Sequence, residues 1–212
     1  MSMSDADRET LMLAMLPDVP FDGWTRHALL TAAAKHGIAA ADAAAAFPRG
    51  PADMAVSFSR WADRQMLARL GHLDLGTMRT HEKVAAAVMA RFEALALHRE
   101  AVRRALRVLA QPLNAPLAAR LIYETVDAIW YAVGDESVDF SFYTKRGLLG
   151  GLLAVTSLYW LEDRSANFAE TRGFLERRLG EIGALPRWRE SVASRLDMLP
   201  NPFRLGRALR GR

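Results

Sequence analysis

Apolar positions along the chain recur at intervals of three and four residues, and no long segment alternates strictly, so every extended element is predicted to be helical. A first helix runs from roughly Asp5 to Leu16 and is stopped by Pro17 and Pro20. Thr25 is suited to cap a second helix, with Trp24 and Leu29 placed as a hydrophobic staple and Gly37 as its C-terminal stop. A short helix from about Ala40 to Phe47 leads into the corner Pro48-Arg49-Gly50-Pro51, and a longer one follows from about Ala52 to Leu70. Val84, Val88, Phe92 and Leu95 mark one buried stripe. Val102, Leu106 and Leu109 mark the next, with Arg99, Arg103 and Arg107 assigned to its solvent side. Beyond Pro112 and Pro116, Leu117, Leu121, Ile122, Val126, Ile129, Trp130 and Val133 share one helical face, and Arg120, Glu124 and Asp127 share the other.

From Gly147 to Leu161 the sequence "GLLGGLLAVTSLYWL" carries no charge. A helix apolar all round is buried or in a membrane, and this one is too short to span a bilayer comfortably. Gly147, Gly150 and Gly151 weaken the helix but let another approach closely. With an amphipathic helix from about Asn167 to Ile182 it forms a helical hairpin. Pairing two hairpins across a two-fold axis would bury the surplus apolar face, so a homodimer is expected.

Length and composition suit a soluble globular chain: 212 residues, 51% hydrophobic and 25% charged, with no cysteine. Disulfides and thiolate metal sites are therefore excluded. The acidic opening "MSMSDADRET" has neither the apolar run of a signal peptide nor the arginine-rich, acid-poor character of a transit peptide, which leads us to expect a bacterial cytoplasmic chain. The net charge of +4 is uneven, because Leu185 to Arg212 holds seven arginines against Glu190 and Asp197. Three regions follow: helices over 1–70, a ligand-binding and dimerising helical region over 71–184, and a basic amphipathic tail over 185–212.

The layout from Gly23 to Pro51 resembles the N-terminus of a TetR-type repressor, with Phe47-Pro48 at the usual corner. A helix-turn-helix needs two helices joined by a short turn, the second reading base edges. Here only one short helix fits, and its "AAADAAAA" offers a lone Asp42 and no base-reading donor. The expected fold is all-α and TetR-like, with a shortened helix-turn-helix region and a C-terminal hairpin used for dimerisation. No specific DNA binding is expected.

Catalytic chemistry is not visible. The histidines at 27, 36, 72, 81 and 98 form no pair at metal-ligand spacing, and there is no nucleophile elbow, phosphate loop or dinucleotide fingerprint. Most carboxylates lie near arginines and read as surface pairs. A non-enzymatic role without cofactor or metal is expected.

The segment Asp127 to Leu179 closely resembles the ubiquinone-biosynthesis accessory proteins of the Coq-nine family, which have a TetR-like fold. The matching positions are Trp130, Gly134-Asp135, Ser137, Asp139, Phe142-Tyr143 and Lys145-Arg146, then Leu158-Tyr159, Asp163, Ser165, Phe168, Thr171, Phe174-Leu175 and Arg178. The resemblance implies a lipid-binding, membrane-associated protein that supports the hydroxylase acting on demethoxyubiquinone. It implies a hydroxylase-binding surface at Asp127, Ile129, Phe142 and Tyr143; the alternative is that Phe142 and Tyr143 are core residues at a helix start, a reading with more weight for Tyr143 than for Phe142. It also implies an apolar ligand, a quinone precursor, held among Met89, Phe92, Leu121, Trp130, Leu152 and Leu153. The sequence does not distinguish a lined cavity there from a filled core.

Phe203, Leu205 and Leu209, interleaved with Arg204, Arg207 and Arg210, have the chemistry of a segment docking on an anionic membrane. The leading reading is a lipid-binding accessory protein peripheral to the inner membrane. Two alternatives stay open, a ligand-responsive TetR-type regulator and a structural dimer that holds no lipid.

Overall fold

Ser4 accepts a hydrogen bond from the Asp7 N–H and so starts α1 (Asp5–Met15). The structure is a computed structural model that describes residues 3–134 and 140–182, without the side chains of 140–145. After α1 come α2 (Val19–Asp22), α3 (Arg26–Lys35), α4 (Ala40–Ala46), α5 (Pro51–Leu70), α6 (Thr80–Leu95), α7 (Arg99–Leu109), α8 (Ala115–Ala132) and α9 (Phe140–Glu162). Residues 169–182 are also helical and are termed α10. The described residues contain no strand. The fold is all-α, as the periodicity requires.

Helix α5 is the hub and packs against α1, α6, α7 and α8. Met54, Phe58, Ala62, Met66 and Leu70 recur along it and are buried. The expected α6 stripe of Val84, Val88, Phe92 and Leu95 is buried as well. One apolar cluster runs from Leu11 to Leu179, so residues 1–70 and 71–182 share a core.

Thr25 caps α3, its hydroxyl accepting from the Ala28 N–H at 3.2 Å, and Gly37 ends the segment with φ +67°. Trp24 does more than precede a cap. Its indole N–H donates to the Ala101 carbonyl at 3.0 Å and its ring meets Phe58 at 5.1 Å, tying the N-terminal helices to α7 and α5. Between α3 and α5 lies only the seven-residue α4, with Ala43 buried and Asp42 exposed. At the following corner the Asp53 carboxylate accepts from the Arg49 N–H at 2.7 Å and from Arg49 Nε at 2.8 Å.

One expectation is corrected. Helix α7 turns Ala101 and Ala105 into the core, which leaves Val102, Leu106 and Leu109 only half-buried. Arg99 and Arg103 are accordingly not a solvent face. Arg99 donates to the Trp160 carbonyl, and Arg103 donates to the Leu161 carbonyl at 3.3 Å and to Glu162 at 2.7 Å. These cations satisfy and electrically complement the last carbonyls of α9. Only Arg107 is exposed as expected. Helix α9 has one apolar side buried and another exposed, the exposed one being the surplus face expected from its sequence. Leu149, Leu152, Leu153, Thr156 and Trp160 are buried, whereas Leu148, Val155 and Leu158 are exposed. Of its glycines, Gly150 sets the approach to α8: a Cβ there would lie 3.0 Å from Ile122 Cγ2, while Gly147 and Gly151 face open space.

A buried carboxylate closes the turn from α9 to α10. Asp163 Oδ1 accepts from the Ser165 N–H at 2.7 Å and its hydroxyl at 2.6 Å, and Oδ2 accepts from the Thr171 N–H at 2.9 Å and its hydroxyl at 2.5 Å. Burial pushes this carboxyl up, but the four donors outweigh it and hold the group at about 2, below its ordinary 3.8. The folded-state value is the lower one, so the stabilisation is complete above about pH 4 and is lost as the pH falls through about 2. Asp163→Ala should cost about 2–3 kcal/mol in urea denaturation at neutral pH, because it leaves several buried donors unpaired. The variant should also lose the part of the acid sensitivity between about pH 4 and pH 2 that Asp163 supplies. A variant within about 0.5 kcal/mol of the parent would show that the carboxylate does not lock the turn.

Candidate functional site

A cleft of about 340 Å³ opens between α7, α8 and α9, a size within the range of small-molecule sites. Its walls are Leu106, Leu109, Ala118, Leu121, Ile122, Leu153, Ala154 and Leu158, and at its floor lie Ser59, Arg91 and Thr125. The walls follow from the packing already described. Helix α7 gives its core face to alanines and leaves leucines at the edge, while Gly150 lets α9 settle on α8 near Ile122.

The floor is a buried polar network spanning three helices. Arg91 Nε on α6 donates to Asp63 Oδ1 on α5 at 2.7 Å, and Arg91 Nη2 donates to Ser59 Oγ at 3.0 Å. The Thr125 hydroxyl on α8 donates to Asp63 at 3.0–3.1 Å. The Arg91 and Asp63 side chains are 12% and 13% exposed. From the sequence such carboxylates read as surface pairs, so this network is not apparent there. The available signal was a charge beside the buried stripe on each of two packed helices, Asp63 next to Ala62 and Arg91 next to Phe92.

Of the candidate lipid-contacting residues, Leu121 and Leu153 line the cleft. Met89, Phe92, Trp130 and Leu152 are buried but do not line it. Phe92 instead stacks on Trp160, with ring centroids 5.1 Å apart. The candidates thus divide into cleft wall, core behind it and, for Leu152, the edge of a second groove between α9 and α10.

Asp127 lies at the surface of α8 with its side chain 49% exposed, and it accepts from the Arg146 guanidinium at 2.9–3.0 Å. Ile129, which the resemblance assigned to the partner surface, is corrected to core: it is 0% exposed, on the apolar face of α8 where its helical spacing put it. One turn either side of Asp127, Tyr123 and Tyr131 are exposed, the latter by 86%. This aromatic ridge was not singled out from the sequence. The side chains of Phe142 and Tyr143 lie outside the described residues, as do Phe203, Arg204, Leu205, Arg207, Leu209 and Arg210.

A larger and more open cleft of about 800 Å³ beside Trp24 is lined by Arg49, Arg104, Arg107 and Arg120 and by none of the candidate residues. Among the described residues no group of acids and histidines could hold a metal ion. His98 packs against Phe58 and Trp61, and burial lowers its pKa. No helix among the described residues is long and apolar enough to cross a membrane.

Residues 115–186 match the family model of COQ9. The chain is 33% identical over 181 residues to the mitochondrial ubiquinone biosynthesis protein COQ9 of Drosophila melanogaster, covering 84% of this chain and 55% of that one. It is 31% identical over 180 residues to the human protein of the same name, covering 81% and 56%. For the Xenopus tropicalis protein the identity is 32% over 194 residues, covering 88% and 61%. The chain therefore spans little more than half the length of the first two of these relatives. Among solved structures, a TetR transcriptional regulator from Nitrosomonas europaea ATCC 19718 is similar in fold, with a TM-score of 0.67 at 18% identity over 83% of this chain and 97% of that one. The fold is thus TetR-like, residues 115–186 match the COQ9 family model, and sequence similarity to the COQ9 proteins extends through most of the chain.

Proposed function

We propose that the chain is a non-catalytic, lipid-binding accessory protein of ubiquinone biosynthesis. It presents a quinone precursor to demethoxyubiquinone hydroxylase at the surface of the bacterial inner membrane. The observation that carries this reading is the leucine-walled cleft between α7, α8 and α9, in a chain similar to ubiquinone biosynthesis proteins. Apolar walls suit an isoprenoid-bearing ligand, since each buried methylene contributes roughly 0.8 kcal/mol. The short α4, with Asp42 its one charged residue, favours this reading over a DNA-binding regulator.

The exposed side of α9 supports a homodimer. Gly147, Gly151 and Val155 recur at four-residue spacing, and with Phe174 and Ile182 they border an apolar groove beside α10. Small residues in such a row let a second helix pack closely. For hydroxylase binding, Tyr131 joins Asp127, Phe142 and Tyr143, because an exposed tyrosine beside an acid is a good anchor for a partner pocket. The tail from Leu185 to Arg212 is the proposed membrane contact.

Native mass spectrometry of purified protein should show two subunits carrying an apolar lipid released on denaturing extraction. Extracts containing only buffer and detergent components, from several preparations, would count against the lipid role, and a monomer would count against the α9 interface.

Tyr131→Ala should weaken hydroxylase binding about tenfold, or ~1.4 kcal/mol, without lowering the melting temperature. Unchanged affinity would remove α8 from the partner surface.

Deleting Asn201 to Arg212 should reduce cosedimentation with anionic vesicles while preserving helical content. Binding that survives the deletion, or that ignores removal of the anionic lipid, would sink the tail's membrane role.

A further inference from the structure

The floor of the α7–α8–α9 cleft distinguishes between kinds of head group. Arg91 is the only charged side chain among the cleft's lining residues, and Asp63 already neutralises it at 2.7 Å. The neighbouring Glu124 is shared by Arg60 at 3.0 Å and Arg120 at 2.7 Å, both of them solvent-exposed arginines outside the cleft lining. The floor is therefore close to electroneutral, yet it retains capacity to donate. Arg91 uses Nε on Asp63 and Nη2 on Ser59, while its Nη1 makes no hydrogen bond among the described residues. The Ser59 hydroxyl accepts from Arg91 and keeps its own hydrogen for another acceptor.

We infer that the cleft selects amphiphiles whose head is a neutral hydrogen-bond acceptor, such as carbonyl, ether or phenolic oxygens on a ring, over amphiphiles with an anionic head. The inference rests on the reading of this cleft as the ligand site. A neutral oxygen takes up the free Arg91 N–H and leaves the charge balance intact. A carboxylate or phosphate would place a second negative charge beside Asp63, whose partner is already engaged, in a setting where Coulomb repulsion is poorly screened. Without Asp63 the same arginine would attract an anion. The selectivity therefore belongs to the pair and not to Arg91 alone.

The test uses the full chain, stripped of lipid, in equilibrium dialysis against two probes with the same tail, a decyl-substituted dimethoxybenzoquinone and decanoate. The parent protein should bind the quinone about tenfold or more tightly than decanoate. Asp63→Asn, which leaves Arg91 uncompensated, should strengthen decanoate binding about tenfold and change quinone binding by less than about threefold. The double variant Asp63→Asn with Arg91→Gln, neutral and still capable of hydrogen bonding, should not gain decanoate affinity. It decides the question if Asp63→Asn alone loses its helical structure. Ala154→Phe, at an exposed wall position, should reduce binding of both probes.

Equal binding of the two probes by the parent, or a preference that neither Asp63 variant alters as stated, overturns the head-group inference and leaves the cleft as the site if Ala154→Phe still blocks it. Failure to bind either probe, or binding indifferent to Ala154→Phe, overturns the cleft as the ligand site, and the inference with it.

Discussion

Burial of the Asp63–Arg91 pair constrains much of the bundle around it. Two charges removed from water are tolerated only when each finds its counter-charge and its remaining polar atoms find partners. Here the partners come from three helices: Asp63 and Ser59 from α5, Arg91 from α6 and Thr125 from α8. An axial slide or rotation of α6 against α5 would strand a charge, and one of α8 would leave the buried Thr125 hydroxyl unpaired, whereas apolar contacts alone would allow several registers. The network thus fixes the seating of α6 and α8 on the hub helix. It also sets the depth of the cleft that α7 and α9 complete.

The C-terminal helices are held by a different kind of polar contact. Helix α9 lays one face on α8, with Gly150 allowing close approach, and delivers its final carbonyls to Arg99 and Arg103 of α7. The Arg99 guanidinium also sits 5.2 Å from the centre of the Trp160 ring and 5.6 Å from that of Phe168. Asp163 then turns the chain into α10, where Tyr159 and Phe174 stack at 4.8 Å. Several positions that carry the family resemblance, Asp163, Ser165, Phe168, Thr171 and Phe174, are therefore explained by the turn and its packing. Their roles in this chain belong to the architecture of the hairpin and do not by themselves mark a ligand contact.

The exposed surfaces divide the proposed roles among different parts of the molecule. The cleft opens beside α7, the tyrosine ridge lies along α8, and the glycine-bearing face of α9 borders α10. A ligand, a partner and a second subunit can therefore be considered as separate contacts. The Asp127–Arg146 pair connects two of these surfaces, linking the ridge on α8 to the first half of α9.

The sequence by itself determined the helical class, the approximate helix ends and most of the buried stripes. These depend on local spacing and on capping groups such as Thr25 and Gly37, which act within a few residues of themselves. It also determined that only one short helix fits between Gly37 and Phe47, since chain length bounds what can be built there. Only the tertiary structure decided which apolar residues line a cleft and which fill the core, because Leu121 and Trp130 look alike until neighbouring helices are placed around them. It also decided that Arg99 and Arg103 cap another helix, and that Asp63 and Arg91 meet. Each of these depends on how one helix is rotated against another, and helical periodicity does not encode that angle.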